Sequence, residues 1–220
     1  RGDSLDERGI GKDIRVITGV LDDLDRLNGE GITVRGTWDI ENYYSLEYMM
    51  PKYAPELISR LQKRVIEDID EIEPMSYNNG LVSASTIEEF ETQVAMVKTN
   101  DGGSGLSDVF ARWQPIVRPQ ECMYTPSFLS RYPDAGVPAL SIYYRAVPFN
   151  GFSNFVPPLA LEERYNPLTV ESAYLPGSMT LLPSYNHGDI AERFLSLRRW
   201  IKALRRRQRA SETRRDLLLL

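Results

Sequence analysis

The stretch ITVRGTWDIENYYSLEYMMPKYAPELISRLQKRVIEDIDEIEPMSYNNG, residues 32–80, reads as a strand, a helical run and a second strand. Ile32 to Trp38 is a short run of strand type with β-branched residues. From Tyr43 to Ile66 the apolar residues return at helical spacing. Pro51 and Pro55 divide that run, because an interior proline removes a helical hydrogen bond and crowds the turn before it. Ile69 to Met75 is the next strand. Strand, helix and strand in succession imply parallel pairing through a crossover, and this decides the fold class as α/β with a parallel sheet or barrel.

Working outward, Ile14 to Leu27 carries apolar residues on one helical stripe with Asp and Arg between them, and Gly29 and Gly31 punctuate its end. Downstream, Ser85-Thr86-Ile87-Glu88 fits a capping box with Ser85 as the cap of a helix through Val97, which Asn100-Asp101-Gly102-Gly103 ends. Strand-like runs follow at Pro115 to Cys122, Val137 to Tyr144 and Met179 to Leu182, with a short helical segment at Pro126 to Tyr132. A strongly basic helix, Ile190 to Arg209, comes last. No repeat of fixed period and no low-complexity tract interrupts this alternation.

At 220 residues, with 42% hydrophobic and 26% charged residues, the chain has ordinary globular composition and is expected to form one domain over 1–220. No apolar run approaches the roughly 20 residues of a membrane span, so no membrane partner is expected. The single cysteine, Cys122, has no internal disulfide partner and no Asn-x-Ser/Thr acceptor occurs, which leaves a cytoplasmic location as the expectation. A formal net charge of -5 argues against a protein built to coat nucleic acid. Both ends look cut: the chain starts at Arg1 without a methionine and stops at Leu217 to Leu220, which resembles the opening of a buried strand or a short terminal element docked on the domain.

In parallel α/β folds, functional residues gather at the carboxyl ends of the strands. Those ends here read Trp38-Asp39-Ile40-Glu41-Asn42, Ser76-Tyr77-Asn78-Asn79-Gly80, Gln120-Glu121-Cys122-Met123-Tyr124, Tyr143-Tyr144-Arg145 and Tyr185-Asn186-His187-Gly188-Asp189. Carboxylates and amides pair with sugar hydroxyls, while flat rings stack on the apolar faces of pyranoses. Glycoside cleavage needs two carboxyl groups, one to protonate the leaving oxygen and one to attack or to activate water. The candidate catalytic residue is Glu121; the candidate substrate-binding residues are Trp38, Asp39, Glu41, Tyr77, Asn78, Asn79, Tyr124, Tyr144 and His187. An acid after a strand also serves as a helix cap or ion-pair member, and an aromatic there also serves as barrel packing.

Gln120-Glu121-Cys122-Met123-Tyr124-Thr125-Pro126 resembles the nucleophile motif of glycoside hydrolase family 57, which includes α-glucan branching enzymes, 4-α-glucanotransferases and amylopullulanases. The resemblance extends to the strand ends at 32–42, 72–80 and 137–144 and implies an incomplete stretch of a seven-stranded β/α barrel related to that of the family 38 α-mannosidases. It implies Glu121 as the nucleophile of a retaining α-glycosidase or α-glucanotransferase acting on an α-linked oligosaccharide or polysaccharide, with no cofactor and no metal. Two departures stand out. The His-rich first motif has no counterpart, since His187 is the one histidine. The acid of the family has none either, which would place it beyond Leu220 in the remainder of the chain and make the isolated 220 residues inactive. The alternative is a carbohydrate-binding barrel without its acid.

Arg198, Arg199, Lys202, Arg205, Arg206, Arg207 and Arg209 form a basic face, while Phe194, Leu197, Ile201 and Leu204 recur on one side at helical spacing. That pattern is expected of an outer barrel helix packed through its apolar stripe, with the arginines solvated or facing another domain.

Overall fold

The structure, a computed structural model, describes residues 10–120, 129–143, 160–171, 176–184 and 197–211. The chain gathers into two compact units, one of Arg1–Gly80 with Thr86–Pro115 and one of Leu81–Ser85 with Ile116–Leu220.

In the first unit, α1 (Ile10–Gly29) leads to β1 (Thr37–Asp39), then to a π-helix (Asn42–Met49), α2 (Met50–Tyr53) and α3 (Pro55–Ile66). The strand β2 (Glu71–Glu73), α4 (Ile87–Lys98) and α5 (Leu106–Val109) follow. Strands β1 and β2 pair in parallel, with Trp38 opposite Ile72 and Asp39 opposite Glu73. Leu57, Leu61 and Val65, four apart on α3, are buried in one core with Leu21, Leu46, Ile72, Val97 and Leu106, and Trp38 packs against it. Full burial of one such aliphatic side chain contributes about 1.5–3 kcal/mol, so this stripe accounts for the docking of α3 on the strands.

The strands are shorter than the sequence predicts, and the lost ladder hydrogen bonds have identifiable destinations. Ile32 N–H donates to Leu27 O at 2.9 Å and Val34 N–H to Asn28 Oδ1 at 3.0 Å, closing the end of α1 around Gly31, whose φ is +80°. Ile69 and Asp70 likewise give their N–H groups to Arg64 O at the end of α3. Pro74, which has no N–H to donate, follows the last residue of β2. The expected division of the helical run at Pro51 and Pro55 is present, since each proline opens a new helix.

The helix α4 corrects the expected cap by one residue. Thr86, not Ser85, is the N-cap: Glu89 N–H donates to Thr86 Oγ1 at 3.2 Å, and Thr86 N–H donates to Glu89 Oε2 at 2.7 Å. Ser85 N–H is engaged instead by Val82 O, closing a 3₁₀ turn.

The second unit holds β3 (Ile116–Val117), α6 (Arg131–Asp134), β4 (Ala139–Tyr143), α7 (Leu161–Arg164), β5 (Leu168–Glu171), β6 (Ser178–Ser184) and α8 (Leu197–Ala210). Its sheet has the order β3-β4-β6-β5, parallel through β6, with Leu140 opposite Leu181 and Ile142 opposite Pro183. Every strand that the sequence predicts is paired in parallel. The strand β5 was not expected; it joins the sheet edge antiparallel to β6, with Leu168 opposite Leu181 and Glu171 opposite Ser178. The fold class is therefore mixed α/β with small, mostly parallel sheets, and a closed seven-stranded barrel is not present among the described residues.

On α8 the expected stripe holds at Leu204 but takes in Trp200 in place of Ile201. Trp200 and Leu204 are buried, with Tyr165 against the Trp200 ring at 6.4 Å, while Ile201 is 37% exposed. The seven cations of this helix lie on its exposed side, and Phe194 is outside the described residues. Among the described residues no helix is long and apolar enough to cross a membrane.

Candidate functional site

Alternation along a strand sends successive side chains to opposite faces. Since Trp38 and Ile72 face the helical layer, Asp39 and Glu73 leave the sheet on the other face, side by side in register at the carboxyl ends of β1 and β2. Glu73 is only 7% exposed, and Asp39 is half-buried; both residues take part in further contacts. The sequence pattern runs this second strand on to Met75 and its end to residues 76–80, which leaves Glu73 inside the strand, whereas β2 stops at Glu73 before Pro74. The signal that finds it is register: one residue past the buried Ile72, at the end of a strand.

Around this pair the rim is built by loop and π-helix. Glu41 is spent on structure: its carboxylate accepts the Tyr44 N–H at 2.8 Å and the Ser45 N–H at 2.9 Å, capping the π-helix. Asn42, wholly buried, donates to Ser104 O at 2.7 Å and Val97 O at 3.3 Å, while its Oδ1 has no partner among the described residues. Tyr43 N–H donates to Tyr77 O at 2.9 Å, so the loops after β1 and β2 are bound to each other. The two rings meet with centroids 5.9 Å apart.

Tyr77 O–H donates to Glu47 Oε2 at 2.9 Å, and Ser104 O–H donates to the same oxygen at 3.0 Å. Burial, together with the Glu47 carboxylate, pushes the Tyr77 phenol up to about 12. Asn78 is exposed and turns its Oδ1 back to the Gly80 N–H at 3.2 Å, and Asn79 holds a left-handed φ of 61°. Beside Tyr77 the buried Ser76 Oγ has no partner among the described residues. Such buried polar groups are uncommon in folded proteins.

Trp38 belongs to the framework beneath the rim. Its indole N–H donates to Asp70 Oδ2 at 2.8 Å, and its ring packs against the helical core. Of the predicted set, Asp39 ends β1, Tyr77, Asn78 and Asn79 follow β2, and Trp38 and Glu41 serve as supports. Glu121, Tyr124, Tyr144 and His187 lie outside the described residues. Among the described residues no three His, Cys, Asp or Glu side chains group as a metal site.

No family profile and no curated protein matches the sequence. Among solved structures, the chain is similar to the crystal structure of a 4-alpha-glucanotransferase from Thermococcus litoralis, with a TM-score of 0.66 at 14% sequence identity. The likeness covers 94% of this chain and 28% of that one, so the chain spans little more than a quarter of the length of the protein it resembles. At this identity the likeness is one of fold.

Proposed function

We propose that this chain is part of a carbohydrate-active enzyme, a retaining α-glycosidase or α-glucanotransferase that acts on α-linked oligosaccharide or polysaccharide. The observation that carries the reading is the rim itself. Asp39 and Glu73 stand in register at the carboxyl ends of two parallel strands, with Tyr77 and Asn78 in the loop that follows the second, in a fold similar to that of a glucanotransferase.

In this reading Glu121 is the nucleophile. Its carboxylate attacks the anomeric carbon as the glycosidic C–O bond breaks, and a carboxylic acid elsewhere in the protein passes its proton to the departing oxygen. The covalent ester is then opened by water, for hydrolysis, or by a sugar hydroxyl, for transfer, whose proton returns to the same acid. Asp39 and Glu73, on the first unit, accept hydrogen bonds from the hydroxyls of a bound sugar.

The decisive experiment replaces Glu121 by Ala in the full-length protein and supplies azide with an activated α-glucoside. Loss of turnover on the order of 10³-fold or more, with azide restoring release and yielding a β-glucosyl azide, is expected of a removed nucleophile. Parental turnover in the variant would reject Glu121. Failure of the parent protein to bind or cleave any α-linked glucan or mannan would reject the reading as a whole, and binding without cleavage would leave a carbohydrate-binding barrel.

A further inference from the structure

The π-helix carries a second arrangement that the catalytic reading does not use. Tyr43 and Glu47, four apart on it, both touch Tyr77. Tyr43 is 54% exposed although its backbone is bound to Tyr77, so an aromatic ring stands in solvent on a fixed mount. Glu47 is exposed too, yet it is held: Tyr77 and Ser104 both donate to its Oε2, and Gly102 lies so close that a Cβ there would come within 2.7 Å of the carboxyl carbon. Among the described residues Glu47 Oε1 receives no hydrogen bond. A surface glutamate ordinarily samples many rotamers, and one locked in place with an oxygen to spare has already lost the entropy that binding would otherwise cost.

The chemistry of these groups suits one kind of ligand. A ring face stacks on the C–H face of a pyranose, and a fixed carboxylate oxygen accepts from its hydroxyls. Neither group offers a cation to an anionic ligand. We propose that Tyr43, Glu47 and Tyr77 form a subsite for one pyranose unit of an oligosaccharide, with Tyr43 stacking on the sugar and Glu47 Oε1 accepting from its hydroxyls. The inference rests on the carbohydrate reading above and names a further point of contact on the rim. Tyr77 is the positioning residue: its phenol, held protonated well past neutral pH, keeps Glu47 oriented.

Titration calorimetry with maltotriose, maltoheptaose and an α-linked mannopentaose tests it, using the parent protein and the variants Tyr43→Ala, Tyr43→Phe and Glu47→Gln. Tyr43→Ala should weaken maltoheptaose binding by roughly tenfold while Tyr43→Phe restores it, because the ring and not the hydroxyl makes the stack. Glu47→Gln should cost on the order of tenfold, since a hydrogen bond to a charged acceptor is lost. Should Tyr43→Ala lower Tm, the volume-preserving Glu47→Gln and the Phe rescue decide. Parental affinity in both Tyr43→Ala and Glu47→Gln overturns the subsite and leaves the carbohydrate reading intact. A parent protein that binds none of the three sugars overturns both. Tighter binding of mannopentaose than of maltoheptaose, lost in the same variants, supports the subsite and reassigns its sugar.

Discussion

Arg64 closes a two-pronged hydrogen bond on Asp70, Nε to Oδ2 at 2.7 Å and Nη2 to Oδ1 at 2.9 Å, with side-chain exposures of 4% and 0%. The same carboxylate accepts the Gly36 N–H and the Trp38 indole N–H, each at 2.8 Å, and Arg64 also bonds Asp25 of α1. One buried acid thus joins the end of α3 to β1, while its arginine partner reaches back to α1.

Removing one member of such a pair costs about 3–5 kcal/mol where the other charge is left uncompensated, and Asp25, which still bonds Arg64, sets the cost here toward the lower end. Asp70→Ala is therefore expected to lower the urea midpoint sharply. A variant within about 0.5 kcal/mol of the parent would show that the pair contributes little.

Burial raises the Asp70 carboxyl, but the Arg64 fork, the Gly36 N–H and the Trp38 indole outweigh it and hold the group below the ordinary carboxylate range. A depressed native value means that the unfolded chain binds the proton more readily. The stabilisation is present above the unfolded value, about 3.9, and is lost as the pH falls through the native one. Denaturant titrations across that acid window should show a steeper loss of stability in the parent than in Asp70→Asn.

At Gly36 a Cβ would come within 2.6 Å of Trp38 Nε1 and 3.0 Å of Asp70 Oδ2. Both neighbours are locked by the bonds just described, so neither can yield cheaply. Gly36→Ala should cost about 1–3 kcal/mol, whereas Gly19→Ala, where nothing lies within 4 Å, should be neutral or stabilising. Thermal melts of the two variants make the comparison.

Thr86→Ala should cost about 0.5–2 kcal/mol through loss of the cap, and Ser85→Ala much less. Equal effects at the two positions would mean that the cap is shared between two registers.

On α8, Trp200→Ala should cost about 3–5 kcal/mol and Ile201→Ala under about 1 kcal/mol. The reverse order would restore the stripe read from the sequence.

The crossover topology was legible because Ile32 to Trp38, the run through Ile66, and Ile69 to Met75 change period from strand to helix and back. The strand limits were not, since Ile32, Val34 and Ile69 look β-prone while their N–H groups close helix ends, which depends on backbone geometry rather than residue type. The antiparallel β5 escaped notice because Leu168 to Glu171 is four residues long and half-exposed, too short for its apolar and polar alternation to stand out. At the site, exposure to a rim and service beneath it look alike in one dimension. Trp38 and Glu41 turned inward to hydrogen bonds, and Glu73 was hidden because the strand pattern runs on to Met75.

The order Glu41, Asn42, Tyr43 places two buried, hydrogen-bonded residues directly before an exposed one. Glu41 and Asn42 hold the π-helix and the loop around Ser104, so changes there remove folded protein before they alter what it recognises. Tyr43 and Asn78 project from the same scaffold with far less structural obligation. Adaptation to a new ligand therefore has a narrow path through this surface, open at 43 and 78 and closed at 41 and 42. A randomised library spanning all four positions should return its functional diversity almost entirely from the first pair.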